Sequence, residues 1–204
     1  MSSNKEHWEN IYKSKKSEEL SWTEELPLVS LSLIRDFHLP RAARFLDVGG
    51  GESKLVDCLL NDGFEDITVL DISEHSIERA KFRLGERSSK INWVVEDILD
   101  FHPDRSFDCW HDRAAFHFLT DSNQISHYAA LAKQCINPQG YLVIGCFSEN
   151  GPKKCSGLSI TQYNPDTLAH IFSDGFKQLK YITHDHQTPF NTQQNFLYCS
   201  FQRV

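Results

Sequence analysis

FLDVGGGESK, residues 45–54, decides the fold. Apolar residues lead to Asp47, glycines follow at 49, 50 and 51, and Glu52 comes next. A strand over 43–48 that ends in a glycine turn opens a strand–helix–strand unit of the nucleotide-binding kind. The helix is written in 53–62, where Leu55, Val56, Leu59 and Leu60 share one face and Gly63 stops it. Glu52 is the difficulty. Such turns usually receive a phosphate at the helix N-terminus, and a carboxylate there would repel it.

The pattern repeats outward. ITVLDI (67–72) is strand-like, and HSIERAKFRL (75–84) is helical with Ile77, Ala80 and Leu84 inward. INWVV (91–95) and FDCW (107–110) are strands. Ser122 can cap a helix reaching Cys135, which the Asn137-Pro138-Gln139-Gly140 turn ends. YLVIGCF (141–147) is fully apolar, as a strand deep in a parallel sheet must be. Asn164-Pro165 opens a further helix that ends near Asp174-Gly175. The runs 176–186 and 194–202 can return on each other as an antiparallel hairpin. Strands alternating with helices predict an α/β, Rossmann-like three-layer sandwich. Its seven-stranded, mostly parallel sheet has an antiparallel last strand. The ligand belongs beyond the carboxyl ends of the strands, at the switch point after strand one.

Composition narrows the class. The chain has 204 residues, 40% hydrophobic and 24% charged, as one globular domain requires. Its formal net charge of −7 gives no general attraction to nucleic acid or anionic membrane. No apolar run reaches the length of a membrane span, and MSSNKEHWEN has no apolar signal core. The six cysteines are scattered without a CxxC pair, which suits free thiols in a reducing cytoplasm. A cytoplasmic location is therefore expected, with no membrane or nucleic-acid partner.

Asp71 ends the second strand twenty residues after Gly51. A carboxylate there can accept from two ribose hydroxyls; alternatively it caps the following helix, a role open to Ser73 as well. The dinucleotide fingerprint fails, because its third glycine falls at Lys54. A nucleoside without phosphate, carrying a cationic tail, removes the conflict with Glu52. Asp47 can hold an ammonium directly or through water. Glu52 either meets the ligand or neutralises the helix dipole.

FLDVGGGES resembles the first motif of the class I, seven-strand, S-adenosylmethionine-dependent methyltransferases, and VLDIS with Asp71 resembles the second. VVEDILDF (94–101) is similar to the third and FDCWHDRAAFHFL (107–119) to the fourth. The resemblance implies S-adenosylmethionine as cofactor and S-adenosylhomocysteine as product. Gly49, Gly50, Gly51, Asp71 and Ile72 would lie against it, with Asp97 and Ile98 at the adenine. Ser53 stands where many members carry another glycine. One domain is expected: a helical lid segment over 1–40, a cofactor-binding core over 41–147, and a substrate loop with the closing hairpin over 148–204. Within the lid, Trp8 and Tyr12 share a helix face and read as core packing, whereas Trp22, in a polar stretch, reads as a cover over the sulfonium.

Methyl transfer needs alignment more than acid–base chemistry. His111 and Asp112 follow the fourth strand, and either can orient or deprotonate an acceptor. Arg113 can bind an acidic substrate or simply pair with Asp112. His117 lies in an apolar turn, as a core histidine or a pocket residue. Cys155, beside Lys153 and Lys154, sits in a polar loop that either covers substrate, with a reactive thiol, or is simply exposed and flexible, the reading preferred here. His184 and His186 share a strand face, but no third ligand joins them, so no metal is expected; a solvated hairpin is the simplest reading, with His186 kept as a pocket-rim candidate. The expected partner is a small molecule. A lysine methyltransferase acting on protein is the alternative, and a non-catalytic S-adenosylmethionine-binding module is the alternative of another class.

Overall fold

The computed structural model describes residues 3–204. Helix α1 (Ser3–Ser14) and α2 (Leu28–Asp36) precede the sheet. Then β1 (Arg44–Val48), α3 (Leu55–Asn61), β2 (Asp66–Asp71), α4 (Glu74–Leu84), β3 (Ile91–Val95) and β4 (Phe107–Arg113) follow in alternation. Helix α5 (Ser122–Cys135) leads to β5 (Ile136–Phe147). A small hairpin, β6 (Lys154–Cys155) with β7 (Leu158–Ser159), comes before α6 (Pro165–Ile171), β8 (Phe176–Gln187) and β9 (Gln193–Arg203).

The main sheet has the order β3-β2-β1-β4-β5-β9-β8. β1 pairs in parallel with both β2 and β4, so the chain reverses its direction of travel across the sheet beside the glycine turn. β9 runs antiparallel to β5 and β8 on either side, and it alone opposes the other six strands. Side chains alternate across the sheet. Phe45 faces Leu31, Ile34, Leu55 and Leu59 of α2 and α3. Leu46 and Val48 face the opposite core, with Trp110, Tyr128, Leu131 and Phe172. Both faces are apolar, hence the near-continuous hydrophobic strands.

Two local details depart from the sequence reading. Asp121, not Ser122, caps α5, accepting from the amides of Asn123 (2.9 Å) and Gln124 (3.3 Å). The Asn137–Gly140 turn lies inside β5 rather than before it. Ile136 already pairs with Phe107, the register shifts before Cys109, and Gln139 takes φ +66°. Asn137 Nδ2 donates to Asp108 at 2.7 Å and fixes this irregularity.

Candidate cofactor and acceptor site

A cleft of about 860 Å³, its open mouth included, lies at the carboxyl ends of β1, β2, β3 and β4. Of the residues read from sequence as cofactor contacts, Trp22, Gly49, Asp71, Ile72, Asp97 and Ile98 line it. Asp47, Gly50 and Gly51 lie behind this lining. Arg113 and Cys155 line it too, whereas His111, Asp112, His117 and His186 do not.

The turn is built for close approach. Gly49 has φ +64°, and a Cβ there would stand 2.7 Å from that of Ala115. A Cβ on Gly51 would collide with the carboxylate of Asp71 and stand 2.5 Å from Ser76 Oγ. The turn is therefore pressed onto Asp71, which also accepts from the Ser73 amide at 2.8 Å. Ser73, not Asp71, caps α4 by accepting from Ser76 N. Burial raises the Asp71 pKa to about 6, against hydrogen bonds from Ser73, Ser76 and Gly51 that favour the anion; Asp47 adds to the rise.

Glu52 neither faces the cleft nor meets a phosphate site. Its carboxylate pairs with Arg79 Nη1 at 3.1 Å and accepts from the Ser17 hydroxyl. Arg79 also donates to the carbonyls of Tyr12 and Lys15. The acid that looked wrong for a nucleotide turn is thus a strap for the N-terminal segment. Glu9 adds a second strap, accepting from the Glu74 amide (2.6 Å) and meeting His75 (2.5 Å).

The strapped segment forms one wall. Trp8 stands edge-on to Trp22 (5.7 Å) and to Phe118 (5.0 Å), and Tyr12 edge-on to Trp22 (6.3 Å). Trp8 and Tyr12 therefore both pack and line the cleft. Asn4 joins them; its spacing to Trp8 and Tyr12 at four-residue steps was the signal to read. Glu96, next to Asp97 at the end of β3, is the other polar contact not singled out from sequence.

Beneath the turn, Asp47 and His111 are neighbours on β1 and β4. His111 Nδ1 lies 2.7 Å from Asp47 Oδ1, and Nε2 lies 2.9 Å from Ser30 Oγ on α2. Asp47 Oδ2 is buried without a partner. Asp112 is fully buried: Oδ1 accepts from the amides of Ala115 (3.1 Å) and Phe116 (3.0 Å), and Oδ2 from Tyr128 OH (2.8 Å). It shapes the turn at Ala114, whose φ is +64°. Burial raises its pKa to about 6. Both side chains spend their hydrogen bonds within the protein rather than on the cleft.

Arg113 does not pair with Asp112. Its Nε meets Tyr198 OH (2.8 Å) and Glu24 (3.2 Å), its Nη1 donates to Trp22 O (2.8 Å), and its Cζ lies 4.7 Å over the Phe196 ring. His186 is buried at the same place, with Nε2 donating to Ser21 O at 2.8 Å. The loop carrying Trp22 is thus held from β4, β8 and β9 together. His117 accepts from the Phe147 amide at 3.3 Å through Nδ1 and packs on that ring; burial drives its pKa to about 3, so it is neutral. Burial pushes the Cys155 thiol up to about 11, so it is protonated at neutral pH. Among the described residues no group of three or more His, Cys, Asp or Glu is placed to hold a metal.

Residues 45–140 match the family described as the methyltransferase domain. The match is confined to this segment, just under half of the chain. The malonyl-[acyl-carrier protein] O-methyltransferase of Anoxybacillus flavithermus is 33% identical over 117 residues, 56% of this chain and 42% of that protein. The chain spans less than half the length of the curated relatives it matches. A structure determined for the conversion of a disulfide into a thioacetal in echinomycin biosynthesis superposes with TM-score 0.78 at 17% identity, covering 98% of this chain and 92% of that one. The N-methyltransferase NodS of Bradyrhizobium japonicum WM9, in complex with S-adenosylhomocysteine, gives 0.67 at 19% identity, over 88% and 89%. At these identities the likeness establishes the fold.

Proposed function

We propose that the chain transfers the methyl group of S-adenosylmethionine to a small-molecule acceptor and releases S-adenosylhomocysteine. The observation that carries this reading is the charge of the cleft. Asp71, Glu96 and Asp97 line it beside Gly49, and Arg113 is the one cation among the described lining residues. A diphosphate would meet three carboxylates, whereas a sulfonium and an ammonium meet opposite charge. The residues fit such a ligand: a turn with no room for side chains, a buried acid at the end of β2, and a buried unpartnered oxygen on Asp47.

In this reading Asp71 accepts from the ribose hydroxyls, and Asp97 and Ile98 flank the adenine. The backbone of Gly49–Gly51 passes the amino-acid tail, with Asp47 steering the ammonium from below through water. Trp22, with Trp8 and Tyr12, covers the sulfonium, a cation–π contribution of about 0.5–2 kcal/mol. The cofactor brings an already activated methyl. The chain's task is to exclude water and hold a nucleophile about 3 Å away, in line with the bond that breaks. The roof formed by Trp8, Trp22 and Cys155 favours a small acceptor over a folded protein. Six free cysteines, five of them buried, favour a reducing, cytoplasmic setting.

Calorimetry with S-adenosylmethionine, S-adenosylhomocysteine and NAD tests the cofactor; binding of NAD alone would reject the proposal. Transfer of tritiated methyl to a cell extract separated by size tests the acceptor. Label confined to protein would replace the small-molecule reading with the protein one.

A further inference from the structure

The cleft is polarised along its length. Asp71, Glu96 and Asp97 gather at one end, and Arg113 and Cys155 line the other, with Trp8, Trp22, Phe118 and Leu119 among the apolar lining. If the nucleoside takes the acidic end, the acceptor is left with the end that Arg113 serves.

Arg113 is a guanidinium with one arm unspoken for. Its side chain is 11% exposed. Nε is engaged by Tyr198 and Glu24, and Nη1 by the Trp22 carbonyl. Nη2 is buried and has no partner. A guanidinium is charged at every accessible pH, and a buried charged donor left unpaired costs more than a neutral one. Arg113 lines the cleft, so a ligand bound there is the group within reach of answering this unpaired donor. Glu24 is shared with His186, whose Nδ1 lies 3.7 Å from its other oxygen. The thiol of Cys155 is protonated and adds no negative charge to this end. His117 Nε2 is also buried without a partner, but His117 stands behind the lining and takes no part.

We propose that Arg113 Nη2 receives a carboxylate of the methyl acceptor, so that the substrate is a small carboxylic acid with an apolar body. The inference rests on the methyltransferase reading above. A carboxylate fits better than a phosphate dianion, because one arm is free and three acids line the same cleft. The apolar body lies against Trp22 and Phe118.

The test uses the full chain saturated with S-adenosylhomocysteine. Benzoate and phenylacetate are titrated against benzamide, phenylacetamide and inorganic phosphate, read by tryptophan fluorescence and by thermal midpoint. The acids are expected to bind at least about tenfold more tightly than their amides, as for a charge-assisted hydrogen bond, and more tightly than phosphate. Arg113→Gln should remove the preference of acid over amide. Tyr198→Phe, which loosens the guanidinium but leaves Nη2 in place, should keep it. Equal binding of acids and amides, failure of the acids to bind, or a preference that survives Arg113→Gln would each overturn the proposal. Failure of S-adenosylhomocysteine to bind would instead count against the methyltransferase reading, and the acid–amide comparison on the unliganded protein would still judge Arg113.

Discussion

Replacing Asp71 by asparagine should make the unliganded protein more stable at pH 7 while impairing its site. The Asp71 pKa rises from 3.8 to about 6, chiefly through burial. That rise corresponds to roughly 3 kcal/mol of cost for holding the anion in the fold. The sign follows from the direction. Well below pH 3.8 the carboxyl is protonated in both folded and unfolded chains, and the cost is absent. As pH climbs from about 4 to 6, the unfolded chain ionises first, so the native state loses stability; above 6 the full cost is present. The asparagine variant carries no such cost, but its amide offers one acceptor oxygen where Asp71 serves Ser73, Ser76 and Gly51. Losing part of that set costs about 1–2 kcal/mol at every pH. Asp71→Asn should therefore be less stable than wild type near pH 4 and about 1–2 kcal/mol more stable at pH 7. Urea unfolding at both pH values, without ligand, measures this. S-adenosylhomocysteine affinity at pH 7 should meanwhile fall about 10- to 100-fold with the lost charged acceptor. A stability difference that stays constant between pH 4 and 7 would refute the buried-anion argument.

Wild-type affinity for S-adenosylhomocysteine should be flat above about pH 6 and decline below it, by up to about tenfold per pH unit, as Asp71 takes up a proton; calorimetry at constant ionic strength checks this. Gly51→Ala should destabilise the protein by about 1–3 kcal/mol, because the added methyl meets Asp71 and Ser76, and its thermal midpoint should fall accordingly. Arg79→Gln should leave the sheet folded but release the strap to Glu52 and Tyr12, weakening cofactor binding more than it lowers the urea midpoint, since the ion pair is partly exposed. Cys155 should resist iodoacetamide in the native protein at pH 8, because its thiol pKa is about 11; rapid labelling there would contradict its burial.

Most of the fold was legible because its signals are local. The glycine turn, the apolar face of α3 and the continuous apolar run of β5 each declare themselves within ten residues or so, and handedness rules order the strands. Gly49 and Asp71 were legible as partners because one strand–helix–strand unit sets their separation. What escaped depends on contacts between distant segments. Nothing next to Glu52 announces Arg79 or Ser17, and nothing next to Arg113 announces Glu24, Tyr198 and the Trp22 carbonyl; the neighbouring Asp112 was the more obvious partner. His111 and Asp112 stand at the end of β4, where catalytic residues gather, yet side-chain direction within the strand sends both inward. The Asn137–Gly140 run has the composition of a turn, and only pairing with Phe107 shows that the strand passes through it.

The enclosure has divided parentage. The segment matching the methyltransferase family begins at residue 45 and ends at 140, yet Asn4, Trp8, Tyr12, Trp22 and Cys155 all border the cleft. Transplanting only that middle stretch into another protein would carry over the floor and leave behind the ceiling. Changes confined to those flanking stretches would reshape the cover of the cleft while the turn and Arg113 beneath it stay as they are.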